Sequence, residues 1–125
     1  MSEIVREELS YDVVIVGAGP AGLSTAIKLK QLNSELSVCI LEKSSELGAH
    51  ILSGNVFETK ALDELIPNWK DLDSPIKTDV RSEDFLFYTN NKSIKIPNFL
   101  LPKALQNHGN YIISLSNLCK WLGEF

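Results

Sequence analysis

The stretch YDVVIVGAGPAGLSTAIKLKQLN, Tyr11 to Asn33, decides the fold. Asp12–Val16 reads DVVIV, a β-branched apolar run without alternation. Such a run suits a strand covered on both faces, as in a parallel sheet. From Pro20 to Leu32 the apolar residues Leu23, Ile27 and Leu29 recur with helical period, and Lys28, Lys30 and Gln31 take the outer positions. This is an amphipathic helix. Pro20 sits in its first turn, where a missing N–H does no harm. Asn33–Glu35 ends the helix, and LSVCILE, Leu36–Glu42, reads as a second buried strand. Strand, helix, strand is a βαβ unit with a right-handed crossover.

Gly17, Gly19 and Gly22 form G-x-G-x-x-G between that strand and that helix. Gly17 lets the chain turn sharply. Gly19 leaves room for a pyrophosphate to touch the backbone, and Gly22 lets helix and strand pack closely. The first-turn N–H groups then face the phosphates, helped by the helix dipole. Glu42, about 20 residues past the last glycine, stands where a carboxylate accepts bonds from both ribose hydroxyls. It would repel a 2′-phosphate, which selects against NADP.

Outward from this unit the pattern is less regular. KSSELGAHILSGN, Lys43–Asn55, reads as a long ordered loop. Glu58–Leu65 is a short helix ended by Pro67. Phe85–Thr89 and Ser93–Ile96 flank NNK as a β-hairpin. Tyr111–Ile113 is a short strand, entered through the polar turn Asn107–Asn110, and a helix follows from Leu115 with Leu118, Cys119 and Leu122 on one face. Trp69, Trp121 and the Phe85–Tyr88 aromatics read as core or hairpin packing.

The chain has 125 residues, 44% of them hydrophobic and 22% charged. That is the profile of a soluble globular protein. A net charge of −4 argues against nucleic acid, whose phosphates need a basic face. Residues 1–10 are polar and net acidic, without the features of a signal or transit peptide. They read as a disordered tail on a cytoplasmic protein. The two cysteines, Cys39 and Cys119, sit in apolar patterns, as buried reduced thiols do. Two thiols cannot hold a four-cysteine iron–sulfur cluster.

GAGPAG, with EKSSELGAHILSG after the second strand, resembles the start of the FAD-binding fold of glutathione-reductase-like and hydroxylase-like flavoproteins; Lys43 and Gly48 match their pattern. GAHILSG, IPNWKD and NHGNYIISLSNLCKWLGE extend the likeness across most of the chain. The sequence resembles the first part of the electron-transfer flavoprotein–ubiquinone oxidoreductase family. The resemblance implies an α/β, Rossmann-like FAD domain with a β-hairpin insertion, begun over residues 11–125 and left incomplete. It implies that Val16, Gly17, Ala18, Gly19, Pro20, Ala21 and Gly22 cradle the FAD pyrophosphate, that Glu42 and Lys43 flank the ribose, and that Gly48, Ala49, His50, Ser53 and Gly54 run along the flavin. It implies no catalytic side chain and no metal ligand here. A 4Fe-4S cluster, the quinone pocket and the membrane contact would belong to segments outside this chain. Electron-transfer flavoprotein and ubiquinone are the partners it implies, at the cytoplasmic side of a bacterial inner membrane. A geranylgeranyl-reductase-type flavin enzyme and a non-catalytic dinucleotide-binding module are the alternative readings.

Overall fold

The computed structural model describes residues 7–125, so most of the expected tail, residues 1–6, lies outside the described residues. Residues 7–10 are exposed and without regular structure. Strand β1 (Val13–Val16), helix α1 (Pro20–Leu32) and strand β2 (Val38–Leu41) form the expected βαβ unit. β1 and β2 pair in parallel, from Val13 opposite Val38 to Val16 opposite Leu41. Asp12 secures the start of the pair: its carboxylate accepts bonds from the Ser37 N–H at 2.8 Å and the Ser37 hydroxyl at 2.7 Å. The Ser37 hydroxyl bond, then the Ser37 amide, holds the Asp12 carboxyl below its ordinary pKa.

One expectation for β1 is corrected. Val13 and Ile15 are half-buried, whereas Val14 and Val16 are exposed, Val16 to 84%. Helix α1 lies over one face, where Gly22 meets Ile15, and among the described residues nothing covers the other. Cys39 on β2 is for the same reason only partly buried, against expectation, while Cys119 is wholly enclosed. Burial pushes the Cys119 thiol pKa up.

The second layer differs more from the sequence reading. Ser53–Phe57, placed partly in a loop, is strand β3. After helix α2 (Lys60–Leu65) come strand β4 (Thr78–Asp79), strand β5 (Phe85–Tyr88), strand β6 (Ser93–Ile96), strand β7 (Tyr111–Ser114) and helix α3 (Leu115–Leu122). β7 is the middle strand of an antiparallel sheet ordered β3-β7-β4. A bulge at Gly54 shifts the β3 register between Ser53 and Asn55. Ser114 caps α3, its hydroxyl accepting the Asn117 N–H at 3.3 Å.

The core forms where α1, α2 and α3 meet this sheet. It gathers Leu23, Leu62, Ile66, Ile113, Leu118, Cys119 and Leu122. Trp69 and Trp121 belong to it, as expected. Trp69 packs edge-on against Tyr111 with ring centroids 5.8 Å apart, and its indole N–H donates to the Asp63 carboxylate at 2.6 Å. That bond satisfies the one polar atom of a buried indole.

β5 and β6 form the expected hairpin, with Phe85 opposite Ile96 and Tyr88 opposite Ser93. Its aromatics do not join the core: Phe87 is 56% and Tyr88 70% exposed, because among the described residues no helix or other strand packs closely on the hairpin. The hairpin base is fastened instead by polar contacts. The Glu83 carboxylate accepts the Asn107 backbone N–H at 2.9 Å and its side-chain amide at 2.8 Å. Asn107–Asn110 is therefore the polar turn into β7 that the sequence indicated.

Candidate functional site

The site is built where β1 ends. Gly17 adopts φ +99°, which side-chain-bearing residues rarely enter, and its N–H donates to the Leu41 carbonyl at 2.7 Å. The turn is thereby bound to the end of β2. A Cβ on Gly22 would lie 2.0 Å from the Gly17 carbonyl oxygen, so α1 can seat on β1 only with glycine there. A Cβ on Gly19 would meet nothing within 4 Å. The close-packing glycine and the open glycine of the motif are thus distinguished by geometry.

Gly19 is the N-cap of α1 and makes no side-chain cap bond. The first helical bond runs from Leu23 N–H to the Gly19 carbonyl at 3.0 Å. Pro20 has no N–H, so the amides of Ala21 and Gly22 are left without intrahelical acceptors. The first turn itself holds no acidic residue, so the positive end of the helix dipole meets no carboxylate of its own helix. Open space and two amides without intrahelical acceptors coincide at this N-terminus, an arrangement whose chemistry suits an anion.

Glu42 reaches across to the turn. Its Oε2 accepts the Ala18 N–H at 2.8 Å, and its Oε1 accepts both the N–H and the hydroxyl of Ser44, each at 2.8 Å. The Ser44 amide, then the Ala18 amide, then the Ser44 hydroxyl hold its pKa down to about 2. Glu42 is therefore a carboxylate at any physiological pH. The Ala18 amide points at this carboxylate rather than into the space above Gly19. The sequence reading missed Ser44; its signal was the Glu-x-Ser spacing, which lets a carboxylate bond the backbone two residues on.

The loop after β2 brings some expected residues close and not others. Gly48 takes φ +73°, and a Cβ there would come within 2.7 Å of the Ser116 carbonyl on α3. Lys120 reaches back from α3 to Glu46 at 3.0 Å. So seated, the loop sets His50 Nδ1 3.0 Å from the Ser44 hydroxyl. Lys43 and Ala49 are exposed beside them. Ser53 and Gly54 lie in β3, with Ser53 opposite Ser114, and among the described residues no hydrogen bond joins them to the glycine turn. Val16 is the exposed last residue of β1, next to Gly17.

A family model described as pyridine nucleotide-disulphide oxidoreductase matches residues 11–110. The chain is 55% identical, over 95% of its length, to the electron transfer flavoprotein-ubiquinone oxidoreductase of Pseudomonas aeruginosa, covering 22% of that protein. It is 56% identical, again over 95%, to the mitochondrial protein of that name from Oryza sativa, covering 20% of it. It is 51% identical, over 99%, to a probable one from Acinetobacter baylyi, covering 23% of it. The chain thus spans about a fifth of the length of the curated relatives it matches, and the resemblance read from GAHILSG and NHGNY is borne out. With the match running from two residues before β1 to the turn before β7, the chain belongs to the pyridine nucleotide-disulphide oxidoreductase family.

Proposed function

We propose that residues 11–125 are part of an FAD-binding domain, and that the protein they belong to passes electrons from reduced electron-transfer flavoprotein to ubiquinone. The observation that carries the FAD reading is the Gly19 cradle beside an ionised Glu42. Its chemistry suits the ADP half of the cofactor: the pyrophosphate over Gly19, against the Ala21 and Gly22 amides, and one ribose hydroxyl, rather than the expected two, on Glu42. Oε2 of Glu42 accepts one bond in this structure, and a carboxylate oxygen can accept two. Lys43, next to Glu42, and the Gly48–His50 loop, joined to Ser44 through His50, would flank the nucleotide; Ser53 and Gly54 would reach it only through the course of β3. The names of the relatives support the donor and the acceptor.

When bound, the flavin supplies the redox chemistry. The chain's part is to hold and orient it, and that needs no acid, base or nucleophile of its own. An iron–sulfur cluster would draw its ligands from beyond Cys39 and Cys119. Titrating the protein with FAD and with NAD, followed by flavin fluorescence and by competition, tests the reading. FAD is expected to bind and NAD to compete weakly; preference for NAD would overturn the flavin assignment.

Ubiquinone dissolves in lipid, so its reductase must reach a membrane. Among the described residues no helix is long and apolar enough to cross one. The sequence reading placed the contact outside this chain, yet Phe87 and Ile94, opposite each other on one face of the hairpin, are exposed, as are Tyr88 and Phe99. Such exposed apolar residues support peripheral attachment; the membrane we propose is a bacterial inner membrane, met on its cytoplasmic side. Phe87→Ser with Phe99→Ser is expected to reduce co-sedimentation with anionic vesicles several-fold; undiminished binding would return the contact to other segments.

A further inference from the structure

We propose that Ser44 and His50 are positioning residues for the nucleotide ribose, acting through a directed hydrogen-bond chain from His50 to Ser44 to Glu42. The inference rests on the FAD reading above and names how this chain's ribose site is held.

The direction of the chain follows from proton counting. The Ser44 hydroxyl has one proton and two neighbours, Glu42 Oε1 at 2.8 Å and His50 Nδ1 at 3.0 Å. The carboxylate is ionised and can only accept, so the proton goes to Glu42, and a charge-assisted bond is the stronger of the two. Ser44 oxygen then accepts from His50, whose ring carries a hydrogen on Nδ1. Either protonation state of the imidazole can meet that demand, because the charged ring also holds a hydrogen there. The Ser44 amide adds a second bond to the same oxygen, at 2.8 Å.

Three donors thus fix the carboxylate, two from Ser44 on Oε1 and one from Ala18 on Oε2. Oε1 is saturated and Oε2 keeps one acceptor direction. A ribose hydroxyl would meet an acceptor already held in place, and an exposed glutamate otherwise loses several rotamers on binding. His50 is itself held from behind, because the loop is closed onto α3 at Gly48 and Ser116 and by the Glu46–Lys120 pair. Ser44 and His50 therefore act on the ribose without touching it.

The test compares FAD with its analogue carrying 2′-deoxyadenosine, by flavin fluorescence titration of the full chain. The wild-type protein is expected to prefer FAD about tenfold, the scale of one charge-assisted bond. Ser44→Ala and His50→Ala should each reduce that preference to about two- to threefold, with far-ultraviolet circular dichroism unchanged, and the double variant should lose no more than either single one. His50→Asn keeps a donor near the δ-nitrogen position and should restore the preference. A general loosening of the loop would weaken both nucleotides alike and leave their ratio unmoved, which would overturn the inference. Glu42→Gln separates the failures. If it abolishes the preference while Ser44→Ala and His50→Ala retain it, the hydrogen-bond chain alone is refuted. If Glu42→Gln also retains it, the ribose reading of Glu42 falls.

Discussion

A protein carrying Gly19→Glu is expected to fold with unchanged stability and to lose FAD. Gly19 has φ −77° and ψ −179°, extended backbone that any residue adopts. Its missing Cβ faces open space. A glutamate here meets no steric penalty, and its charge sits favourably at the positive end of α1. Stability should stay within about 0.5 kcal/mol of the parent, as for an unhindered surface change. Binding is another matter. The new side chain fills the volume over the Ala21 and Gly22 amides and sets a carboxylate where the pyrophosphate would lie. We expect at least a roughly hundredfold loss of FAD affinity, about 2.7 kcal/mol. Urea denaturation and flavin titration of one sample would report both quantities. Undiminished affinity would mean that the phosphates bind elsewhere.

Gly22→Ala is expected to do the reverse, damaging the fold first. The added methyl would stand 2.0 Å from the Gly17 carbonyl oxygen, 3.2 Å from its carbon and 3.3 Å from the Ile15 side chain. Ordinary contact distances are about 3.5 Å or more. The closest neighbours are backbone and cannot rotate aside, so α1 must lift from β1 and drag the turn with it. Overpacking of this kind costs on the order of 3 kcal/mol, a large share of a small domain's stability. A lowered urea midpoint with unchanged slope would register the effect, and loss of flavin would follow from it. A variant as stable as the parent would show that close helix–strand packing is not the role of this glycine.

Local pattern carried much of this structure. The bounds of α1 follow from Pro20 and Asn33, the hairpin from its Asn-Asn turn, and the start of α3 from the apolar spacing of Leu115, Leu118 and Leu122. β3 was not legible, because SGNVF opens on three turn-forming residues and its partner β7 is far along the chain. Pairing between remote segments, not propensity, makes it a strand. β4 is two residues long and has no pattern to read. The β-branched run of β1 signalled an interior strand, yet sequence alone could not say that, among the described residues, α1 would cover just one face of it. In the site, the glycine spacing and Glu42 were legible because each follows from chain geometry. The Glu42–Ala18 bond and the Ser44–His50 contact depend on side-chain rotamers, which spacing does not encode.

The seat of Gly48 on Ser116 bears on how the protein matures at the ribosome. The βαβ unit needs only neighbouring segments, so it can assemble early in synthesis. The loop bearing Ser44 and His50 cannot settle until α3 has emerged to receive it. On the FAD reading, completion of the ribose site would thus wait on a helix remote in sequence from the glycine turn.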